Sequence, residues 1–88
     1  MVGDGEVTET HLAIISLTIK GQLRKEMSAV LQMTESTVNS HIADLYQRLR
    51  VRKAGRLVAL AMASGFSSDG RFMGRDVVKQ YQMRKQKE

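Results

Sequence analysis

The segment from Thr34 to Arg50 constrains this chain more than any other stretch. Val38, Ile42, Leu45 and Leu49 step by 4, 3 and 4 residues. At about 100° per residue they fall in one narrow stripe of a helix. Opposite them lie Ser36, Asn39, Ser40, Ala43, Asp44 and Gln47, none of them bulky and apolar. Thr34 can accept from the free N–H groups of a first helical turn, and Glu35 complements the positive end of the helix dipole. The pattern predicts a helix over 35–50, anchored on one face and open to a partner on the other.

The flanking segments also read as short helices. Thr8 is a candidate N-cap for a helix over 9–20, with Leu12, Ile15 and Ile19 at helical spacing, Ile14 and Leu17 beside them, and Gly21 as the stop. Leu23 to Gln32 is amphipathic, with Leu23, Met27, Val30 and Leu31 on one side and Arg24, Lys25 and Glu26 on the other. A further helix is predicted over 53–64, with Leu57, Leu60 and Ala61 inward, Gly65 as its stop and Phe66 folding back. Ser67-Ser68-Asp69-Gly70 is a loop by composition. Met1 to Glu6 reads as a flexible, polar lead-in. No internal repeat is present. The expected class is all-α: four helices over 7–66, then a basic extension over 67–88 that can hold a fifth helix over 75–85.

Eighty-eight residues allow a single modest core. With no proline, nothing breaks these helices from within. With no cysteine and only His11 and His41, disulfides are excluded and neither a metal nor a cofactor is expected. No apolar run approaches the roughly 20 residues that cross a bilayer, and no signal-peptide pattern opens the chain, so the expected location is the cytoplasm. No paired carboxylates, nucleophile–base pair or phosphate loop is found, so no catalytic residue is assigned and an enzyme is not expected. The net charge of +5 points to an anionic partner. Two Phe, two Tyr and no Trp argue against a stacking platform for single strands.

A short helix, a tight turn and a second helix make a helix-turn-helix, here from Gln22 to Arg50. The major groove is about 12 Å wide and admits one helix of about 10–12 Å. Short polar side chains on the outer face let the helix axis approach the base edges. Arg48, Arg50, Arg52, Lys53 and Arg56 fall within nine residues that hold no acid, a run that can reach phosphates and release counterions.

Met33-Thr34-Glu35-Ser36-Thr37-Val38-Asn39-Ser40-His41-Ile42 resembles the start of the recognition helix in LuxR/GerE-type transcriptional regulators. The similarity continues through Leu45-Tyr46-Gln47-Arg48-Leu49 and Val51-Arg52. Gly21, Lys25-Glu26-Met27 and Val7-Thr8 match the family upstream, so the resemblance spans about Val7 to Phe66. It implies a compact four-helix domain whose third helix enters the major groove of double-stranded DNA and whose fourth often mediates dimerisation. It implies base contacts by Asn39, Ser40 and Ala43, and it places Glu35, Ser36 and Thr37 where a helix start holds phosphates. Arg48, Arg52, Lys53 and Arg56 are the further phosphate candidates. Asn39 has an amide that matches the adenine edge. His41 is weighed toward packing and Tyr46 toward the core rim. The family commonly has a basic residue at Asn39, often another near Ala43, and Gly at Arg50, a position that needs a left-handed backbone. Asp44 on the outer face repels phosphate unless Arg48, one turn on, pairs with it.

No receiver or ligand-binding domain is present, so the expected protein is a stand-alone regulator or the effector part of a larger chain. The alternative is an interaction module with this fold and weak or no DNA binding, paired with a larger regulator. RNA polymerase is another candidate partner. A membrane-surface role for the tail is disfavoured, because the tail lacks a large apolar face. From Arg71 to Glu88 the tail carries a charge of +4, and it has two readings. One is a disordered extension that adds non-specific DNA affinity. The other, slightly favoured, is a helix that serves a homodimer through Val77, Val78 and Tyr81, together with the fourth helix.

Overall fold

The computed structural model describes residues 7–87, with side-chain surroundings as far as Lys85; the lead-in Met1–Glu6 lies outside the described residues. The chain forms α1 (Glu9–Ile19), α2 (Arg24–Leu31), α3 (Glu35–Leu49), α4 (Ala54–Ala63) and α5 (Val77–Lys87), and the described residues hold no strand. The expected all-α class of four helices is in place, with a fifth helix added. Isolated bridges pair Phe66 with Phe72 and Phe72 with Arg75 in the loop before α5.

The helix ends follow local chemistry. Thr8 Oγ1 accepts from the His11 N–H at 3.2 Å, while His11 Nδ1 accepts from the Thr8 N–H at 3.1 Å, a reciprocal capping box. Gly21, at φ +82°, stops α1. At α2 the Leu23 side chain cannot cap, and the Glu26 carboxylate alone reaches back to the Leu23 N–H at 2.6 Å. Phe66 folds back onto the core as expected, its N–H bonded to the Ala61 carbonyl at 3.0 Å.

The core is organised around α1, which packs against α3, α4 and α5. Ala13, Ile14, Ile15, Ser16 and Leu17 are all buried. Of the expected apolar positions, Ile14, Ile15 and Leu17 are buried and Leu12 and Ile19 lie at the margin, so α1 is covered on most of its circumference. A helix apolar nearly all round has to be enclosed by neighbours, and α5 supplies the missing wall. On α3 the stripe is as predicted, with Val38, Ile42 and Leu45 buried and Leu49 at the edge. Two inward assignments are corrected. Leu23 is 70% exposed because it precedes α2 instead of lying on its inner face, and Leu60 is 37% exposed because α4 turns Leu57 and Ala61 inward.

The tail is an ordered part of the domain. Val77, Val78 and Tyr81 are buried among the core residues. The side expected to meet a second protomer thus packs within its own chain, because α1 leaves that apolar surface to cover. Arg84 pairs with Glu9 at 2.5 Å, so α5 runs antiparallel to α1. Near the start of α5 the loop presses on α1 at Gly70 (φ +88°), where a Cβ would stand 2.8 Å from Ser16 Oγ and 3.1 Å from the Ser16 carbonyl oxygen.

Candidate nucleic-acid interface

Local hydrogen bonds set the turn between α2 and α3. Gln32 takes the left-handed conformation at φ 57° and ψ 48°. Its N–H bonds to Ala29 O at 3.4 Å, and the Met33 N–H bonds to Ser28 O at 3.1 Å, which satisfies the last carbonyls of α2. Thr34 then caps α3: its Oγ1 accepts the Thr37 N–H at 3.1 Å and lies 2.9 Å from Thr37 Oγ1. The expected N-cap is in place. Thr37 has its amide and hydroxyl tied to the cap, so it is structural at least in part.

Glu35, Ser36, Thr37, Asn39, Ser40 and Ala43 are all exposed. Helical spacing brings Ser36, Asn39, Ser40 and Ala43 together on the face of α3 away from Val38, Ile42 and Leu45. Ser40 Oγ donates to the Ser36 carbonyl at 3.2 Å, which keeps that side chain close to the helix. The surface is low and polar, with Asn39 projecting from its middle. Arg52 and Lys53 lie in the link to α4 and Arg56 in its first turn, all exposed. This basic group gathers beyond the C-terminal end of α3. Arg48 differs from it: half-buried, it donates from Nε to Asp44 Oδ2 at 2.8 Å. That is the pairing Asp44 needed on an outer face. Arg50 adopts the left-handed conformation at φ 58° and ψ 42°, as its position required.

A constellation not foreseen from the sequence lies behind Asp44. His11 is 2% exposed, and its Nε2 lies 3.1 Å from Asp44 Oδ2. The alignment is off the N–H axis, so the contact is electrostatic and not a formed hydrogen bond. Because Nδ1 accepts from Thr8, the proton of the neutral ring is on Nε2, facing the carboxylate. His41 stands edge-on to His11 with centroids 6.2 Å apart, in the packing position favoured for it. Burial pushes the His11 imidazole below its ordinary value and outweighs the opposing pull of Asp44. The hydrogen bond from Arg48 holds the Asp44 carboxyl below the usual carboxylate range. The sequence signal was Thr8 three residues before His11, a capping box with His in the place usually held by Glu or Gln.

Among the described residues no helix is long and apolar enough to cross a membrane. No curated protein and no solved structure matches the chain. A family model, GerE, described as bacterial regulatory proteins of the luxR family, matches residues 6–63. The matched span holds α1 to α4 and the whole helix-turn-helix, well over half of the chain, and α5 lies beyond it. The family is one of DNA-binding regulators and not of enzymes. The matched motif, the capped α3 and its low polar face agree in one conclusion: this chain belongs to the luxR family of bacterial regulatory proteins.

Proposed function

We propose that this domain binds double-stranded DNA sequence-specifically in transcription regulation, with α3 lying in the major groove. The observation that carries the reading is the exposed face of Ser36, Asn39, Ser40 and Ala43 on a helix anchored from behind by Val38, Ile42 and Leu45. In this reading Asn39 contacts adenine through its amide, and Ser40 and Ala43 meet neighbouring bases. At the helix start the backbone N–H groups of Glu35 and Ser36, with the Ser36 hydroxyl, hold phosphate, while Thr37 supports the turn through its bonds to Thr34. Arg52, Lys53 and Arg56 take phosphates beyond the far end of α3, and Arg48 joins them from its pair with Asp44. A homodimer belongs to the same reading. It rests on α4, where Leu60 and Met62 are 37% and 41% exposed, because the apolar side of α5 is occupied within the chain.

Selection from random duplexes followed by anisotropy titration tests this proposal. A selected site is expected to bind more tightly than mixed sequence, with affinity falling steeply as salt rises. Asn39→Ala is expected to weaken the selected site by about 1–3 kcal/mol and to relax preference at one base pair. No binding to any duplex at about 50 mM salt, where phosphate contacts are strongest, overturns the reading and leaves an interaction module with this fold.

A further inference from the structure

The stretch from Arg71 to Glu88 contributes four of the net positive charges, yet α5 lies outside the matched family span. Its buried side explains why it is helical but not why it is basic. Three contacts fix where its C-terminal half sits. Tyr81 Oη donates to the Leu31 carbonyl at 3.5 Å, and Gln82 Nε2 donates to the Val30 carbonyl at 3.4 Å. Both acceptors belong to the last turn of α2, and Thr34 follows Leu31 by three residues, no more than about 11 Å of chain. Arg84 pairs with Glu9 at the other side, two residues before the His11 that faces Asp44 on α3. The end of α5 is thus held between the C-terminal end of α2, which leads into the start of α3, and the start of α1.

Lys85 is the cation that this placement makes useful. It is exposed, and its Nζ lies 5.7 Å from the centroid of the Tyr81 ring and 3.5 Å from the Tyr81 hydroxyl. Tyr81 is itself buried and tied to α2, so the ammonium is held at a defined place instead of sweeping a wide arc. Arg84 is compensated by Glu9, whereas Lys85 forms no salt bridge among the described residues. With Thr8, Glu9, Thr10 and Tyr81, the two cations border an open groove of about 420 Å³. The groove is polar and wide, which suits a hydrated polyanion better than a small apolar ligand.

We propose that α5 is a second DNA-contacting element, in which Lys85 binds a backbone phosphate flanking the site read by α3, on the side opposite the Arg52–Arg56 group. The inference rests on the DNA-binding reading above. A phosphate contact adds affinity and sets orientation without reading sequence.

The test uses the full 88-residue chain and measures duplex binding by anisotropy over a salt series. The variants are Lys85→Ala, Lys85→Glu and Lys20→Ala, all exposed positions whose folding is checked by circular dichroism. Lys20 lies at the far end of α1 and controls for the loss of one charge. Lys85→Ala is expected to lower affinity about 3–10-fold, equally for selected and mixed duplexes, and to reduce the salt slope by about 0.9. Lys85→Glu is expected to go further, and Lys20→Ala to change both quantities much less. If the wild-type chain binds duplex and Lys85→Ala matches Lys20→Ala, α5 is not a contact element and the role of α3 still stands. If the wild-type chain binds no duplex, the DNA reading itself fails and this inference fails with it. Lys85-dependent sedimentation with phosphatidylserine vesicles, with duplex binding unchanged, likewise overturns the proposal and assigns α5 to a membrane surface.

Discussion

His11 carries a polar ring into the interior, and three groups determine its state. Thr8 supplies an N–H to Nδ1, Asp44 faces Nε2, and burial disfavours a second proton. With Arg48 holding Asp44 ionised, the outer face of α3 presents a neutralised acid. The pH dependence follows from the sign of the shift. The folded imidazole titrates below its ordinary value near 6.5, so between those two values the unfolded chain binds a proton that the folded chain does not. Stability is full above about pH 6.5 and falls as the pH drops through that window. His11→Gln keeps an acceptor for the Thr8 N–H and does not titrate. Thermal melts at pH 7.5 and 5.5 are expected to show a smaller loss of Tm in this variant than in the wild type. An equal loss in both rules out His11 as the source. Other residues were legible in advance for simple reasons. Arg50 was expected to be left-handed because the family it resembles usually has Gly at that position. Asp44 had to find Arg48 because the two are one turn apart. The approach of His11 to Asp44 spans 33 positions, and no local rule joins residues that far apart.

At the level of elements, capping explains most boundaries. Thr34 bonds the Thr37 amide, Thr8 and His11 bond each other reciprocally, and Gly21 and Gly65 take the positive φ that ends α1 and follows α4. Thr34→Ala leaves the first-turn amide of α3 to water and is expected to destabilise the domain by about 1 kcal/mol. Urea unfolding should show this as a lower midpoint at unchanged slope. Duplex affinity should fall as well, since the same turn positions Glu35 and Ser36. An unchanged midpoint would mean that the cap is redundant with packing. The helix-turn-helix was readable because its signals are short in range: a cap, a period of 3.6 and a turn. The inner faces of α1 and α4 were read less well. Periodicity gives the apolar side of a helix, but where a helix is apolar nearly all round it does not say how many neighbours cover it. Leu60 shows the converse, an apolar residue on the margin because α4 meets only α1 closely.

For the whole molecule, α5 decides whether the domain is complete. It buries Val77, Val78 and Tyr81, and full burial of each such side chain is worth roughly 1.5–3 kcal/mol. Their sum approaches the entire stability of a small domain, about 5–15 kcal/mol. A chain ending at Gly70 is expected to lose cooperative thermal unfolding and to bind hydrophobic dyes, since α1 is then open along one side. A sharp melt within a few degrees of the full chain would show that α1 to α4 suffice. The tail was legible as basic and capable of helix, and its apolar positions were correctly identified. Their destination was not, because an apolar stripe on a terminal helix fits a second protomer and its own domain equally well along the chain. What can be read from residue order alone is the helix-turn-helix, its caps and its open polar face, since each depends on interactions within about four residues. What needs the folded molecule is the enclosure of α1, the seat of α5 beside the turn and the meeting of His11 with Asp44. Those contacts join distant segments, and the choice among them rests on which surfaces the rest of the core leaves uncovered.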